Sequence, residues 1–381
     1  MPRVAFYAHD TYGLGHLSRC LKLAFAGELP EVQGVILSGS PWHGLFTPPP
    51  GFRVVPLPPV IKRGRGVYAP REGSLSLRRV LAARARRIRS TLERFRPDLL
   101  VVDNVPCGLH REVLPALRQL KQRPGARAVL ALRDVLDRPS VVAGEWARAG
   151  ALEPLTELYD EVWVFGDAFD ACDLARSGPL AAAAGKVRAC GHLGRRRAGL
   201  RPASGGQPQE PRRRPLVLVT GGGGGDAPPL VRSYLEALRR FRPRLNSRLV
   251  LGPDYPVADL RAVPATTAVR AFEPRLADWL ATSDVVVSMA GYNTVCEILE
   301  SGRRAVLVPR VWPRQEQWLR ALRWQREGRV RVIHPGRLSA GALWREIERV
   351  LAEPAPVPLG LGGGVVAAGR AARLLKSGGA S

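Results

Sequence analysis

The sequence predicts an α/β protein of two Rossmann-like, doubly wound domains facing one another across a cleft. Three observations lead there. Short apolar runs alternate with helix-patterned segments in both halves of the chain. In each half a glycine-rich bend follows an early strand: Gly13-Leu14-Gly15-His16 in the first, Gly221 to Gly225 in the second. Between them, Arg195 to Pro215 is dominated by Arg, Gly, Pro, Gln and Ser and lacks apolar periodicity, as linkers do. The expected organisation is an N-terminal domain over 1–195, a linker over 196–214 and a C-terminal domain over 215–360. A terminal helix within 361–381 is expected to pack back toward the first domain.

The elements follow in order. Val4–His9 reads as a strand and Leu17–Ala26 as the helix behind the first bend. Gly34–Ser38 and Phe52–Leu57 are further strands. Leu75–Phe95 is an Arg-rich amphipathic helix with Val80, Leu81, Ile88, Leu92 and Phe95 at helical spacing. Asp98–Asp103, Val129–Arg133 and Val162–Phe165 are strands of the buried type, which indicates a parallel sheet covered on both faces. The second half repeats the pattern, with strands at Leu216–Thr220, Arg248–Gly252, Val269–Phe272, Asp284–Ser288, Ala305–Val308 and Val330–Ile333. Helices are expected at Leu230–Phe241, Arg275–Thr282, Asn293–Glu300, Arg314–Arg326, Ser339–Leu351 and Val365–Leu375.

Composition narrows the function classes. The chain of 381 residues has room for two cores. It has no apolar run near the roughly 18 residues that span a bilayer, and its start shows no signal-peptide pattern. A cytoplasmic protein is expected, with peripheral attachment at the inner face of a membrane left open. The net charge is +25, but its cations are almost all arginine and scattered, as codon bias in a GC-rich genome would leave them. Nucleic acid is therefore disfavoured as a partner, while contact with an anionic membrane surface stays open. The five cysteines are odd in number and form no CxxC pair, so neither a zinc site nor a disulfide framework is expected.

Chemistry concentrates at three bends. Gly13 and Gly15 clear space at a strand-to-helix turn, where His16 can act as a general base or simply cap the helix. Arg19 lies one turn on, grouped with this acceptor-side loop. Thr220 and Gly221, Gly222, Gly223 and Gly224 offer backbone N–H groups suited to a diphosphate. No Gly-Lys-Ser/Thr follows, so this is not a Walker A loop, and the spacing disfavours a dinucleotide cofactor. In the third bend Ala290 and Gly291 form a small-residue turn and Thr294 can reach a phosphate. Glu297, one turn further along, can accept hydrogen bonds from paired ribose hydroxyls, with Asn293 as the expected N-cap. Gln315, Glu316 and Gln317 open the next helix and suit sugar hydroxyls. There is no Asp-x-Asp pair to chelate a metal–diphosphate and no nucleophile elbow, so neither a metal nor a cofactor is expected.

Together these residues resemble the two-domain GT-B glycosyltransferases. Within them they are similar to the family 28 branch, which contains the bacterial N-acetylglucosaminyltransferase acting on an undecaprenyl-linked lipid. The resemblance is strongest from Leu276 to Arg320. It implies a UDP-sugar donor in the C-terminal domain, with the Gly221–Gly224 loop, Ala290, Gly291 and Thr294 on the diphosphate and Glu297 on the ribose. It places Glu316 and Gln317, where the family has paired glutamines, at the donor sugar, and His16 near the acceptor. The implied activity is inverting, metal-independent transfer of a hexosyl or N-acetylhexosaminyl group to an acceptor of unknown kind: a glycan, a lipid-linked sugar or a small molecule. Gly13 to Cys20 also resembles UDP-sugar hydrolases of acidic-sugar biosynthesis, which makes water the alternative acceptor.

Overall fold

The computed structural model describes residues 1–11, 13–26, 32–63, 67–71, 73, 75–176, 178–194, 214–260 and 263–378. Of the linker expected over 196–214, only Arg214 falls among them. The chain divides into two compact units, one formed by Met1–Ala198 with Gly362–Ser381, the other by Gly199–Leu361.

The first unit contains strands β1 (Arg3–Ala8), β2 (Gln33–Ser38), β3 (Phe52–Pro56), β4 (Val60–Lys62), β5 (Tyr68–Pro70), β6 (Leu99–Asp103), β7 (Arg127–Arg133), β8 (Glu161–Phe165) and β9 (Val187–Ala189). Its helices are α1 (Gly15–Ala26), α2 (Leu77–Phe95), α3 (Leu114–Lys121), α4 (Pro139–Arg148), α5 (Leu152–Glu157) and α6 (Ala168–Arg176). Seven strands form one sheet in the order β3-β2-β1-β6-β7-β8-β9. Their pairings are all parallel, and only the small β4–β5 hairpin is antiparallel. The continuous apolar runs of β1 and β6 are buried on both faces, as parallel strands between helices must be. Ile88 and Leu92 of α2, Leu117 of α3 and Trp146 of α4 pack with Tyr7, Val102 and Leu130 on one face.

The second unit holds β10 (Leu216–Thr220), β11 (Asn246–Val250), β12 (Thr267–Arg270), β13 (Val285–Ser288), β14 (Arg304–Leu307) and β15 (Arg331–Val332). Its helices are α7 (Pro228–Phe241), α8 (Leu276–Ala281), α9 (Tyr292–Ser301), α10 (Glu316–Arg326) and α11 (Ala340–Ala352). The six strands run in the order β12-β11-β10-β13-β14-β15, again parallel.

Several elements differ from the sequence expectation. The strand read at Val269–Phe272 ends two residues earlier, at Arg270. Helices α3 to α6 and the β4–β5 hairpin had no counterpart in that reading. They are short, from three to ten residues, and periodicity needs a longer window to separate helix from strand. No helix among the described residues is long and apolar enough to cross a membrane.

The final helix, α12 (Gly363–Gly378), packs within the first unit against α1, β6 and β7. Small residues permit the close approach: a Cβ on Gly364 would lie 2.7 Å from the Ala26 methyl. Gly363 N donates to the His192 carbonyl at 3.0 Å, and Arg370 makes a bidentate pair with Glu161 at 2.8 and 2.7 Å. Burial alone would raise the Glu161 carboxyl. The hydrogen bonds from Arg370 and Trp163 overcome it and hold the group below the usual carboxylate range. A lowered carboxylate pKa stabilises the fold above the unfolded value of about 4.3, and that contribution fades as pH falls through the folded pKa. Arg370→Ala should therefore lose about 1–3 kcal/mol in urea unfolding at pH 7. The gap to the parent protein should narrow below about pH 4.

Candidate functional site

In an open parallel sheet, ligands bind beyond the strand C-termini where the strand order reverses. The first unit has that point between β1 and β6, which pair up to Tyr7↔Val102. The chain leaves β1 through Gly13, whose φ of +67° suits glycine, and enters α1. Asp10 secures this entry: its Oδ1 accepts Leu17 N at 3.1 Å and its Oδ2 accepts the Ser38 hydroxyl at 2.6 Å. Burial pushes the Asp10 carboxyl above its ordinary pKa. The helix start is thus capped by Asp10 and not by His16. That imidazole instead faces Asp103, the last residue of β6, with Nδ1 2.5 Å from Oδ2.

Arg19 is not a loop residue but a buried member of α1. It shares a helix face with His16 three positions earlier. Its Nε donates to Asp103 Oδ1 at 2.7 Å, and an Nη makes a second, shorter contact to the same oxygen. Asp103 is 1% exposed. Burial would raise its pKa, but the charges of Arg19 and His16 outweigh that and hold the carboxyl well below the usual range. An ionised carboxylate only accepts, so His16 Nδ1 carries the hydrogen and Nε2 keeps its lone pair in the neutral ring. In the sequence Asp103 stands only as the end of a strand. The available signal was a lone acid closing the apolar run Leu99-Leu100-Val101-Val102 at a strand C-terminus.

The second unit has its reversal between β10 and β13, with Thr220 paired to Ser288. The Gly loop and the Met289–Gly291 turn therefore leave neighbouring strands at the same level. Thr220 is fully buried, and its hydroxyl accepts Gly222 N at 3.4 Å, shaping the loop. Gly221 N is taken by the Val250 carbonyl and Gly224 N by Gly221 O. Among the described residues, the Gly223 and Gly225 amides have no protein acceptor. The row of donors expected from the loop is thus reduced to alternate positions. Helix α7 adds little to it, because Pro228 and Pro229 occupy its first turn without N–H groups.

Helix α9 starts one residue before the sequence suggested, with Gly291 and not Asn293 at the N-cap. Its first-turn amides open from that turn. A Cβ on Gly291 would meet nothing within 4 Å, and its φ is −64°, so neither crowding nor backbone strain in the protein requires glycine there. Ala290 is buried, and its carbonyl accepts from Arg320 at 3.0 Å. Thr294 and Glu297 lie three apart on one face of α9, with Glu297 half-buried. The expected sugar readers behave differently. Glu316 is buried against the Arg310 guanidinium, and Gln317 Oε1 accepts Arg310 N at 3.0 Å. Arg310 also reaches Asp226, which directly follows the Gly loop, at 2.9 Å. Glu316 and Gln317 thereby tie α10 to the Gly loop, while Gln315 is the half-buried N-cap residue.

Residues 216–356 match the glycosyltransferase family 28 C-terminal domain. The chain is a glycosyltransferase. The matched stretch covers the Gly loop, α9 and α10 of the glycosyltransferase, but not the His16–Asp103 pair. No curated protein matches the chain. Among solved structures, the glycotransferase of kitacinnamycin is 18% identical with a TM-score of 0.58, over 100% of this chain and 96% of that one. MurG of Acinetobacter baumannii is 15% identical with a TM-score of 0.57, over 99% of this chain and 100% of that one. VinC, solved in complex with dTDP, is 15% identical with a TM-score of 0.53, over 98% and 95%. At these identities the likeness establishes the GT-B fold of the glycosyltransferase.

One group among the described residues could hold a metal ion: Asp167, Asp170 and His192, with ligand atoms within 4.8 Å. Asp167 and Asp170 accept each other's backbone N–H at 2.9 Å, a reciprocal cap at the start of α6.

The ionised Asp103 sets the tautomer of His16, and long-range 15N NMR reads it directly. Neutral His16 should show a protonated Nδ1 and a bare Nε2. In Asp103→Asn the imidazole should move to the opposite tautomer or a mixture of both.

Proposed function

We propose that the second unit holds a UDP-sugar and that His16 activates the hydroxyl of the acceptor. The observation that carries this reading is the His16–Asp103 contact, in which a buried, ionised carboxylate leaves Nε2 as the basic atom. In the proposed reaction, Nε2 takes the acceptor proton as the acceptor oxygen bonds to the anomeric carbon. The bond from that carbon to the diphosphate oxygen breaks on the opposite face, and the configuration inverts. Asp103 stabilises the imidazolium that forms. The leaving diphosphate gains negative charge, which the Gly223 and Gly225 amides and the first turn of α9 are suited to meet. Thr294 hydrogen-bonds a phosphate oxygen, and Glu297 accepts from the ribose hydroxyls. VinC, a glycosyltransferase of similar fold, was solved with dTDP, so both pyrimidine nucleotides belong in the test.

Calorimetry with UDP and dTDP, followed by donor and acceptor screens, tests the assignment. His16→Ala and Asp103→Asn should lower kcat by roughly 10²–10⁴-fold while leaving UDP affinity within a factor of about two. Glu297→Ala should weaken UDP about tenfold and spare kcat at saturating donor. Full turnover in His16→Ala would remove the imidazole from the reaction. Rapid release of free sugar without any acceptor would make water the second substrate.

A further inference from the structure

The chain has eight tryptophans, and seven of them are buried or half-buried. Trp312 is 69% exposed. It stands in the segment between β14 and α10, whose start is fixed by sheet register. Thr220 pairs with Ser288, and Ser288 pairs with Leu307, so β10, β13 and β14 end side by side. The first exit carries the Gly loop and the second the turn into α9. The third carries Val308 to Gln315, with Trp312 at its middle.

The segment is held at both ends. Val308 N donates to the Ser288 carbonyl at 2.8 Å. Arg310 is bound through its backbone to Gln317 and through its guanidinium to Asp226 and Glu316. The Asp226 contact at 2.9 Å fixes this segment directly to the end of the Gly loop. On the other side of β10 the Gly loop is already packed backbone to backbone: a Cβ on Gly252 would lie 2.4 Å from Gly224 N. That packing closes the β11 side to a group attached to a phosphate cradled at the first two exits. Adjacent exits are about 4.8 Å apart, which is comparable to the width of one pyranose ring.

We propose that Trp312 is the stacking platform for the pyranose ring of the donor. The proposal rests on the donor-site reading above and assigns its sugar subsite to a residue outside the Gln315–Gln317 group. An exposed indole keeps a large apolar face in water unless a ligand covers it. A pyranose presents axial C–H bonds on a face and hydroxyls around its rim, so it covers an indole without burying a polar group. Hydroxyl recognition falls to neighbouring polar atoms, while the indole orients the ring.

Calorimetry on the full-length protein with UDP, UDP-glucose, UDP-N-acetylglucosamine, dTDP and dTDP-glucose tests this. Trp312→Ala should bind the free nucleotides as the parent does and bind the nucleotide sugars roughly five- to tenfold more weakly. Trp312→Phe should recover most of the loss, and quenching of tryptophan fluorescence by the sugar nucleotides should diminish in both variants. Unchanged binding of nucleotide sugars in Trp312→Ala would overturn the proposal. Equal weakening of nucleotides and nucleotide sugars would overturn it as well, by assigning the indole to the nucleotide. If the parent protein binds none of the nucleotides, the donor-site reading itself fails and takes this subsite with it. A circular dichroism melt that matches the parent excludes unfolding as the cause of any loss.

Discussion

Parallel pairing at a point of reversed strand order is the constraint from which the chemistry of both units follows. Between β1 and β6, and again between β10 and β13, the connections leave the sheet in opposite directions. A parallel strand cannot turn back through a tight hairpin, so each must exit at its C-terminal end and cross over a face. At the reversal no crossover covers that end. Whatever residues stand there lie at the edge of a dry, rigid sheet. His16, Asp103, the Gly loop and the start of α9 occupy those positions for that reason.

The two units furnish the same kind of edge in different ways. The first uses charged side chains. Asp103 is buried, and a buried carboxylate is tolerated only when paired and hydrogen-bonded. Arg19 supplies both, from a helix face whose position is set by the Asp10 cap. Arg19 thereby keeps Asp103 ionised, and Asp103 in turn orders His16. The second unit relies on backbone donors. The half-buried Arg310 at that edge is neutralised by Asp226 and Glu316, so its role is to join the Gly loop to α10. Side chains suit a proton transfer, which needs a group with an accessible pKa. Backbone amides suit a diphosphate, which needs fixed donors.

Much of this was legible in the residues themselves. Runs such as Leu99-Leu100-Val101-Val102 and Val285-Val286-Val287 announce buried parallel strands because nothing in them has to reach water. The glycines at 13, 221 and 291 mark strand-to-helix bends. His16 stands out as a titratable group beside one of them. Short elements were hidden, because α5 and the β4–β5 hairpin carry too few residues for a period to emerge. Asp103 was visible as a residue but not as a partner, since it lies 87 positions from His16.

Local pattern determined the fold class, most strands of the two sheets, the longer helices and the three glycine-containing bends. These depend on hydrophobic period and on glycine, which act over a few neighbouring residues. Only the tertiary structure decided that His16 is oriented by Asp103 and not spent on capping α1. It alone showed that Glu316 and Gln317 are engaged by Arg310. Those outcomes are set by which strands become neighbours in the sheet, and side-chain pairing across neighbours is a property of packing that no local window contains.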